Sequence, residues 1–286
     1  MGDINTSYNP DEDIYWEQTL EEKQELGKKA YAERKAKERN KLSTAPDVKR
    51  IKKTFHVKDL NKIVPKTETQ RKVCKSYKSN PELNHLLVGS AGTGKTFLGM
   101  GLGLEDILDP ATPYEKLLIV RSARQTGTEL GFLPGTVEEK MAEYEAPYVS
   151  MCNEFFEVSN SYANLKELGK IQFVPTSFLR GQTFNECIIL VDEMQNLNFG
   201  ELNTIVTRVG YNSKIIFAGD FRQNDLLGRR NETSGFYPFI DIIKTMEEHF
   251  GVFEFGHDDI VRSGLVKSWI IKSEEFFEEQ SKQISD

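Results

Sequence analysis

Eight consecutive residues in the first half of the chain combine the glycines, the lysine and the hydroxyl that a phosphate site requires. They match the pattern G-x-x-x-x-G-K-[ST], follow the apolar run 85–88 and precede a stretch with helical periodicity. The glycines let backbone N–H groups point at a phosphate, the lysine reaches the β and γ oxygens, and the hydroxyl can ligate Mg²⁺. We therefore predict a nucleoside triphosphate site formed by Gly89, Ser90, Ala91, Gly92, Thr93, Gly94, Lys95, Thr96 and the adjoining Phe97.

Two acidic residues, Asp192 and Glu193, end the apolar run 188–191. Adjacent carboxylates at the end of a buried strand require a cationic partner. We predict that Asp192 holds Mg²⁺ together with Thr96, and that Glu193 orients and deprotonates an attacking water. This pair favours hydrolysis over phosphoryl transfer to a metabolite. The alternative is a pair of solvated acids, which is common at strand ends.

A further polar residue, Gln223, follows the apolar run 215–220. The carboxyl end of a strand beside a nucleotide is where a γ-phosphate sensor belongs, and an amide side chain suits that role. We predict this role for Gln223. The alternative is an ordinary polar loop after a strand.

The composition points to a cytoplasmic protein without a disulfide framework or a zinc site. The chain has 286 residues and a net charge of −7, and its start has neither a basic nor an apolar leader segment. No apolar run approaches the ~20 residues of a membrane span. The three cysteines and four histidines are scattered without ligand spacing. Cys187 opens an apolar run and is predicted to be a small core residue.

Charge is distributed unevenly along the chain. Residues 1–22 hold seven acidic and no basic residues, residues 23–53 hold twelve basic and four acidic ones, and the remainder has a net charge of −8. We predict a charged, helical or disordered N-terminal extension over residues 1–58 and one globular domain over residues 59–286. The extension is either a solvated tail or a basic arm for nucleic acid or a neighbouring subunit.

Short apolar runs alternate with helical stretches in the predicted domain. The runs, many of them β-branched, are residues 86–88, 117–121, 171–176, 187–192, 215–220 and 252–255. This alternation is typical of a mostly parallel sheet flanked by helices. The predicted fold class is therefore α/β.

Several further motifs resemble those of the phosphate-starvation-inducible PhoH-like ATPases, which are related to the motor domains of superfamily 1 helicases. Besides residues 89–96, they are residues 130–135, 139–140, 180–183, 191–196, 207–210, 213–214, 219–220 with 223 and 225–226, and 261–262. The resemblance extends from about residue 65 to residue 270. Ser90 departs from it, because proline is usual at that position, but no phosphate, metal or water ligand is lost.

The resemblance implies a RecA-like P-loop fold with ATP as the nucleotide and Mg²⁺ as its metal. It places the strand that ends at Gly219 and Asp220 between the phosphate-loop strand and the Asp192 strand. Gln70 resembles the glutamine with which superfamily 1 relatives read adenine. The alternative for Gln70 is an exposed helix glutamine without a role.

The resemblance also implies single-stranded nucleic acid as the partner, with RNA favoured over DNA. ATP hydrolysis would then be coupled to remodelling or unwinding of the strand. The alternative function is a nucleotide-gated assembly or interaction switch that moves no nucleic acid. The net acidity of the chain favours this alternative.

Helicase motors of this superfamily receive an arginine at the γ-phosphate from a second motor domain, and only one such domain fits in this chain. The arginine must therefore come from another subunit or be missing. We predict a homo-oligomer, with a ring of about six subunits as the expected form. The candidate arginines are Arg208, Arg262 and Arg180, each in a motif that resembles the family.

Overall fold

The computed structural model describes residues 54–122, 137–179, 181–220 and 235–285. Gln223, Arg180, the motif at residues 130–135 and the extension up to residue 53 lie outside these ranges. Within them, six strands form one sheet. The strands are β1 Asn84–Gly89, β2 Lys116–Arg121, β3 Ile171–Pro175, β4 Cys187–Val191, β5 Lys214–Gly219 and β6 Phe250–Phe255.

The strand order is β3-β2-β4-β5-β1-β6, and all of these neighbours pair in parallel. As predicted, β5 lies between β1 and β4. The phosphate loop after β1 and the acidic pair after β4 therefore lie at the carboxyl edge of the sheet, where open α/β sheets bind their ligands. This architecture confirms the predicted α/β, RecA-like P-loop fold.

The central strands are apolar along their length because helices cover both faces of a parallel sheet. The side chains of β4 are all buried, and those of Leu86, Leu87 and Val88 in β1 are 0% exposed. Cys187 is also 0% exposed, which confirms it as a small core residue. Two apolar layers result, one on each face of the sheet.

Helices form the outer layers of the described domain. They are α1 Glu68–Ser79, α2 Lys95–Leu108, α3 Val137–Phe156, α4 Ser161–Glu167, α5 Phe199–Val206, α6 Phe236–Lys244 and α7 Gly264–Ser285. None of the helices in the described ranges combines the length and the apolar character needed to cross a membrane.

Helix α2 packs closely on the sheet because glycines face the strands. A Cβ added to Gly99 would lie 2.9 Å from Leu190, and one added to Gly103 would lie 2.9 Å from Leu117. Real side-chain contacts are longer than this, so larger residues would push the helix outward. The close packing fixes the first turn of α2, which carries Lys95 and Thr96, relative to the ends of β1 and β4.

Candidate nucleotide-binding site

The phosphate loop depends on three glycines in backbone conformations that disfavour side chains. The φ angle is +134° at Gly89, +71° at Gly92 and +82° at Gly94. A Cβ on Gly89 would also collide with the backbone of Phe255 in β6, whose carbonyl accepts the Ser90 N–H at 3.0 Å. The loop is thus anchored to β6 and leads directly into α2, whose N-terminal N–H groups favour an anion.

Lys95 is buried and donates to neutral oxygens of its own loop. Its Nζ lies 2.9 Å from the carbonyl oxygen of Gly89, 2.7 Å from that of Ser90 and 3.3 Å from the Thr93 hydroxyl. Burial lowers the pKa of the ammonium group, while the negative charge of Asp220 and that of other nearby carboxylates oppose this effect. Lys95 therefore points into the loop, where a phosphate would be held.

The carboxylate of Asp192 contacts the Thr96 hydroxyl. Thr96 Oγ1 donates to Asp192 Oδ1 at 2.7 Å, and the Tyr148 hydroxyl donates to Asp192 Oδ2 at 2.8 Å. Asp192 is 5% exposed. Burial and the neighbouring Asp192 charge raise the pKa of Tyr148 well above its ordinary value, so Tyr148 stays a proton donor to this carboxylate.

Glu193 has a strained backbone that turns the chain at the end of β4. Its φ and ψ angles of 52° and 41° lie in the left-handed region, where non-glycine residues are uncommon. The Gln195 amide donates to Glu193 Oε2 at 2.5 Å and accepts the Asp220 N–H at 3.0 Å. Burial raises the pKa of Glu193, and the Asp192 charge raises it further. Gln195 thus connects the carboxyl ends of β4 and β5.

These groups surround one cavity of about 350 Å³. Its walls include Lys95, Thr96, Asp192 and Glu193, for which the sequence predicts roles in phosphate binding, metal binding and water activation. The cavity is also lined by Ala91, Gly92, Thr93, Gly94, Phe97, Arg121, Pro147, Met151, Ala218, Gly219, Asp220 and Arg262. The catalytic and metal-binding roles of these residues remain predictions.

Two residues of the site, Arg121 and Tyr148, were missed by the sequence analysis. Arg121 ends β2 at the same edge of the sheet. Burial lowers the pKa of its guanidinium, while Tyr148, Asp192 and Glu193 raise it more strongly, which indicates a cation close to this acidic group. A polar residue at the carboxyl end of a central strand was a usable signal for Arg121. The sequence held no signal for Tyr148, because it lies within a helix in which polar and apolar residues are mixed.

The candidate arginines are placed differently. Arg262 lines the cavity beside the phosphate loop, where a Cβ on Gly92 would lie 2.8 Å from its side chain. Arg208 follows α5 and precedes β5, so it lies at the amino edge of the sheet, away from the cavity. Two arginines of this chain, Arg121 and Arg262, thus line its own cavity. Supply of the γ-phosphate arginine by another subunit stays a prediction. The homo-oligomer remains a prediction.

Gln70 of α1 is hydrogen-bonded to the phosphate loop. Its amide donates to the Thr93 carbonyl at 2.8 Å and accepts the Lys66 N–H at 2.7 Å. It is 7% exposed, so the alternative of an exposed helix glutamine is wrong. Contact with adenine remains a prediction.

Ser90 faces away from the cavity. Its hydroxyl donates to the carboxylate of Glu274 in α7 at 3.1 Å, and the same Glu274 oxygen lies 2.6 Å from His257. A proline at this position could not make this hydrogen bond. The C-terminal helix is therefore attached directly to the phosphate loop.

A parallel sheet, a phosphate loop between β1 and α2, and an acid at the end of β4 that meets the loop threonine together define the fold and site of a P-loop NTPase. The sequence profile of the family described as "PhoH-like protein" matches residues 62–274. The chain belongs to this family.

Curated relatives extend beyond the matched region. The PhoH-like protein of Synechocystis sp. is 34% identical over 180 residues, which cover 63% of this chain and 53% of that protein. Protein PhoH of Escherichia coli strain K12 is 30% identical over 209 residues, which cover 73% and 57%. This chain thus spans just over half the length of these relatives.

Solved structures resemble the chain more distantly. A large terminase from a thermophilic bacteriophage aligns with a TM-score of 0.43 at 12% identity, over 72% of this chain and 49% of that one. Unliganded Pif1 from Bacteroides sp. aligns with a TM-score of 0.32 at 12% identity, over 71% and 43%.

Proposed function

We propose that the protein hydrolyses ATP with the help of Mg²⁺ and couples hydrolysis to binding and remodelling of single-stranded nucleic acid, RNA in preference to DNA. One observation carries the hydrolytic part. Thr96 and Asp192 are 96 positions apart in sequence, yet their side chains meet at 2.7 Å in a cavity that Lys95 and Glu193 also line.

The cations of the cavity would bind and neutralise phosphate. Lys95 would exchange the carbonyls of Gly89 and Ser90 for β and γ oxygens, because an ammonium group bonds more strongly to anionic than to neutral oxygens. Arg121 and Arg262 would offset the charge that develops on the γ-phosphate. In this proposal both arginines belong to the same chain as the phosphate loop.

Thr96 and Asp192 are the residues that would hold Mg²⁺. They fit this metal, because it prefers hard oxygen ligands and both groups supply them from a fixed position. When bound, the ion would neutralise phosphate charge. The Tyr148 hydroxyl holds the second Asp192 oxygen at 2.8 Å and so orients the carboxylate.

Glu193 would accept a proton from the attacking water. Its carboxylate lines the cavity, and Gln195 holds one of its oxygens, so the other is available for a water molecule. Gln223 stays the proposed γ-phosphate sensor, on the sequence argument alone.

The proposed nucleic-acid partner rests on the family resemblance and on the basic residues 23–53. The competing proposal, a nucleotide-gated switch, is favoured by the acidity of residues 79–286, which hold 18 basic and 31 acidic residues.

Steady-state ATP hydrolysis with and without a 20-nucleotide oligo-uridine separates these proposals. A motor should be stimulated by the strand, and the stimulation should fall as salt rises. Hydrolysis without any response to the strand would support the switch. Absence of Mg²⁺-dependent hydrolysis would contradict the proposed enzyme itself.

We also propose a homo-oligomer, although Arg121 and Arg262 make turnover by a single subunit chemically feasible. Sedimentation velocity at the assay concentration tests this proposal. Turnover that rises with the oligomer fraction would support it, whereas a fully active monomer would contradict it.

A further inference from the structure

A second groove, of about 610 Å³, lies between residues 57–65 and helices α1 and α2. We call it the lysine groove, because its rim is formed by the side chains of Lys58, Lys62, Lys75 and Lys78. Its floor is mainly apolar and is formed by Val57, Leu60, Ile63, Pro65, Cys74 and Leu102. The groove is separate from the nucleotide cavity and has no lining residue in common with it among the residues that the structure describes.

The lysine groove has an excess of positive charge. All four lysines are exposed. Lys78 pairs at 2.8 Å with Glu105, an acidic residue that also lines the groove. Within the described part of the chain, no carboxylate forms an ion pair with Lys58, Lys62 or Lys75. Three cations are therefore left for an anionic partner.

This charge is local, because the rest of the domain is acidic. Residues 54–78 hold seven basic and two acidic residues, whereas residues 79–286 hold 18 basic and 31 acidic ones. Residues 54–78 also continue directly from residues 23–53, with twelve basic and four acidic residues. A basic tract of this length within an acidic chain suits a partner with repeated negative charge.

We infer that the lysine groove binds the phosphate backbone of single-stranded nucleic acid. The rim lysines would contact phosphates, and the apolar floor would accept unpaired bases. Apart from Cys74 the floor is aliphatic, and its described residues carry no fixed set of donors for base edges, so binding should tolerate different sequences.

The two helices that line the groove also hold the phosphate loop. Helix α1 supplies Lys75 and Lys78 to the groove, and its Gln70 donates to the Thr93 carbonyl at 2.8 Å. Helix α2 supplies Leu102 to the groove floor and begins at Lys95. A nucleic-acid strand bound in the groove would therefore act on the nucleotide site through both helices. This coupling rests on the proposed ATPase function, whereas the binding itself does not.

The test uses the full chain with the double substitution Lys62→Glu and Lys75→Glu. The matched control is Lys244→Glu with Lys272→Glu, which makes the same change in charge at exposed lysines outside the groove. Their ion pairs with Glu254 and Glu275 are on the surface and contribute little to stability. Anisotropy of a fluorescein-labelled 20-nucleotide oligo-uridine, titrated at several salt concentrations, measures binding. A matching oligo-thymidine tests whether DNA uses the same groove.

The groove variant should bind the oligo-uridine roughly tenfold or more weakly, with a salt slope shallower by about 0.7 for each lysine lost. Its basal ATP hydrolysis should persist while stimulation by the strand disappears, and the control variant should behave like the wild type. Unchanged oligo-uridine binding by the groove variant would overturn the inference.

Two other results would also overturn the inference. One is a wild-type protein that hydrolyses ATP but binds neither oligonucleotide, which leaves the proposed ATPase standing. The other is groove-dependent binding of poly-L-glutamate without oligonucleotide binding, which would indicate an acidic protein partner. If the wild-type protein showed no ATPase activity but bound oligo-uridine, and the groove variant lost that binding, the groove would be supported and the proposed hydrolysis contradicted.

Discussion

Two buried lysines lie at opposite edges of the sheet and differ in the partners of their ammonium groups. Lys95, at the carboxyl edge, is 8% exposed, donates to neutral oxygens of its own loop and opens onto a cavity. Lys214, at the amino end of β5, is 2% exposed. Its Nζ lies 3.9 Å from the ring centre of Tyr77 and 3.9 Å from the Asp106 carboxylate.

The comparison shows which property separates the two lysines. Burial lowers the pKa of both ammonium groups, so burial does not distinguish them. The partners do. Asp106 and Tyr77 are hydrogen-bonded to each other at 2.8 Å and belong to the packed fold, whereas the carbonyls around Lys95 can be replaced by a phosphate that enters the cavity. The ammonium group at the carboxyl edge is thus next to a cavity that could admit a ligand, whereas the one at the amino edge lies within the packed fold.

The largest expected effect is at the carboxyl edge. Glu193→Gln should lower ATP turnover by about 10²–10⁴-fold, because a positioned general base is lost. ATP affinity should be retained, since the substitution leaves the phosphate loop intact. Steady-state hydrolysis and titration with a fluorescent ATP analogue measure the two effects. Glu254→Gln, at an exposed residue of β6, is the control, and near-normal turnover of the Glu193 variant would remove Glu193 from this role.

Substituting the two lysines tests the comparison directly. Lys95→Ala should weaken binding of a fluorescent ATP analogue by about 1.5–3 kcal/mol, the contribution of a hydrogen bond to a charged group, and should change stability little. Lys214→Ala should keep binding but lower the free energy of unfolding by about 3 kcal/mol, because Asp106 loses its cation. Urea unfolding measures the latter. If Lys214→Ala weakened nucleotide binding without destabilising the fold, the contrast would be wrong.

The amino edge should also be sensitive to acid, through His85. Burial, together with the charge of Lys214, lowers the pKa of His85 from 6.5 to about 4. Between pH 4 and pH 6.5 the unfolded chain binds a proton at His85 and the folded chain does not. The stability contributed by burying neutral His85 is therefore fully present above pH 6.5 and is lost as the pH falls toward 4. Urea unfolding should show a loss of about 2 kcal/mol between pH 7 and pH 5 that is missing in His85→Gln. Equal pH dependence in both proteins would contradict this assignment.

The smallest expected effect compares two tyrosine hydroxyls. Tyr148→Phe should raise the Mg²⁺ concentration for half-maximal turnover by about tenfold, because Asp192 loses the donor that orients it. Tyr77→Phe removes the matching bond to Asp106 and should lower stability by about 1 kcal/mol without changing the Mg²⁺ requirement. A Mg²⁺ titration of both variants measures this difference. An identical Mg²⁺ response would show that Tyr148 does not orient the metal ligand.

Much of the site could be predicted because its residues follow directly from local pattern. The loop from Gly89 to Thr96 is a continuous segment, and Asp192 ends a run of apolar residues, so both could be found without knowing which strands are neighbours. Arg121 and Tyr148 could not be assigned in this way. Their contact with the acidic pair depends on β2 lying beside β4 and on α3 crossing that edge.

The charge of residues 54–78 was also visible in the sequence, but the groove was not. Lys58 and Lys62 lie outside the α-helices and strands, and Lys75 and Lys78 lie on α1. Only the packing of these segments on α2 arranges the four lysines around one apolar floor.

The sequence by itself determined the α/β class, the phosphate loop, the acidic strand end and the family, because each depends on residue types at short spacing. The tertiary structure alone decided that Arg262 lies beside the loop of its own chain, that Arg208 lies at the other edge and that Gln70 supports Thr93. The physical reason is that a parallel sheet brings together strand ends that are far apart in sequence. Which side chains then meet depends on strand order and helix packing, which no local pattern records.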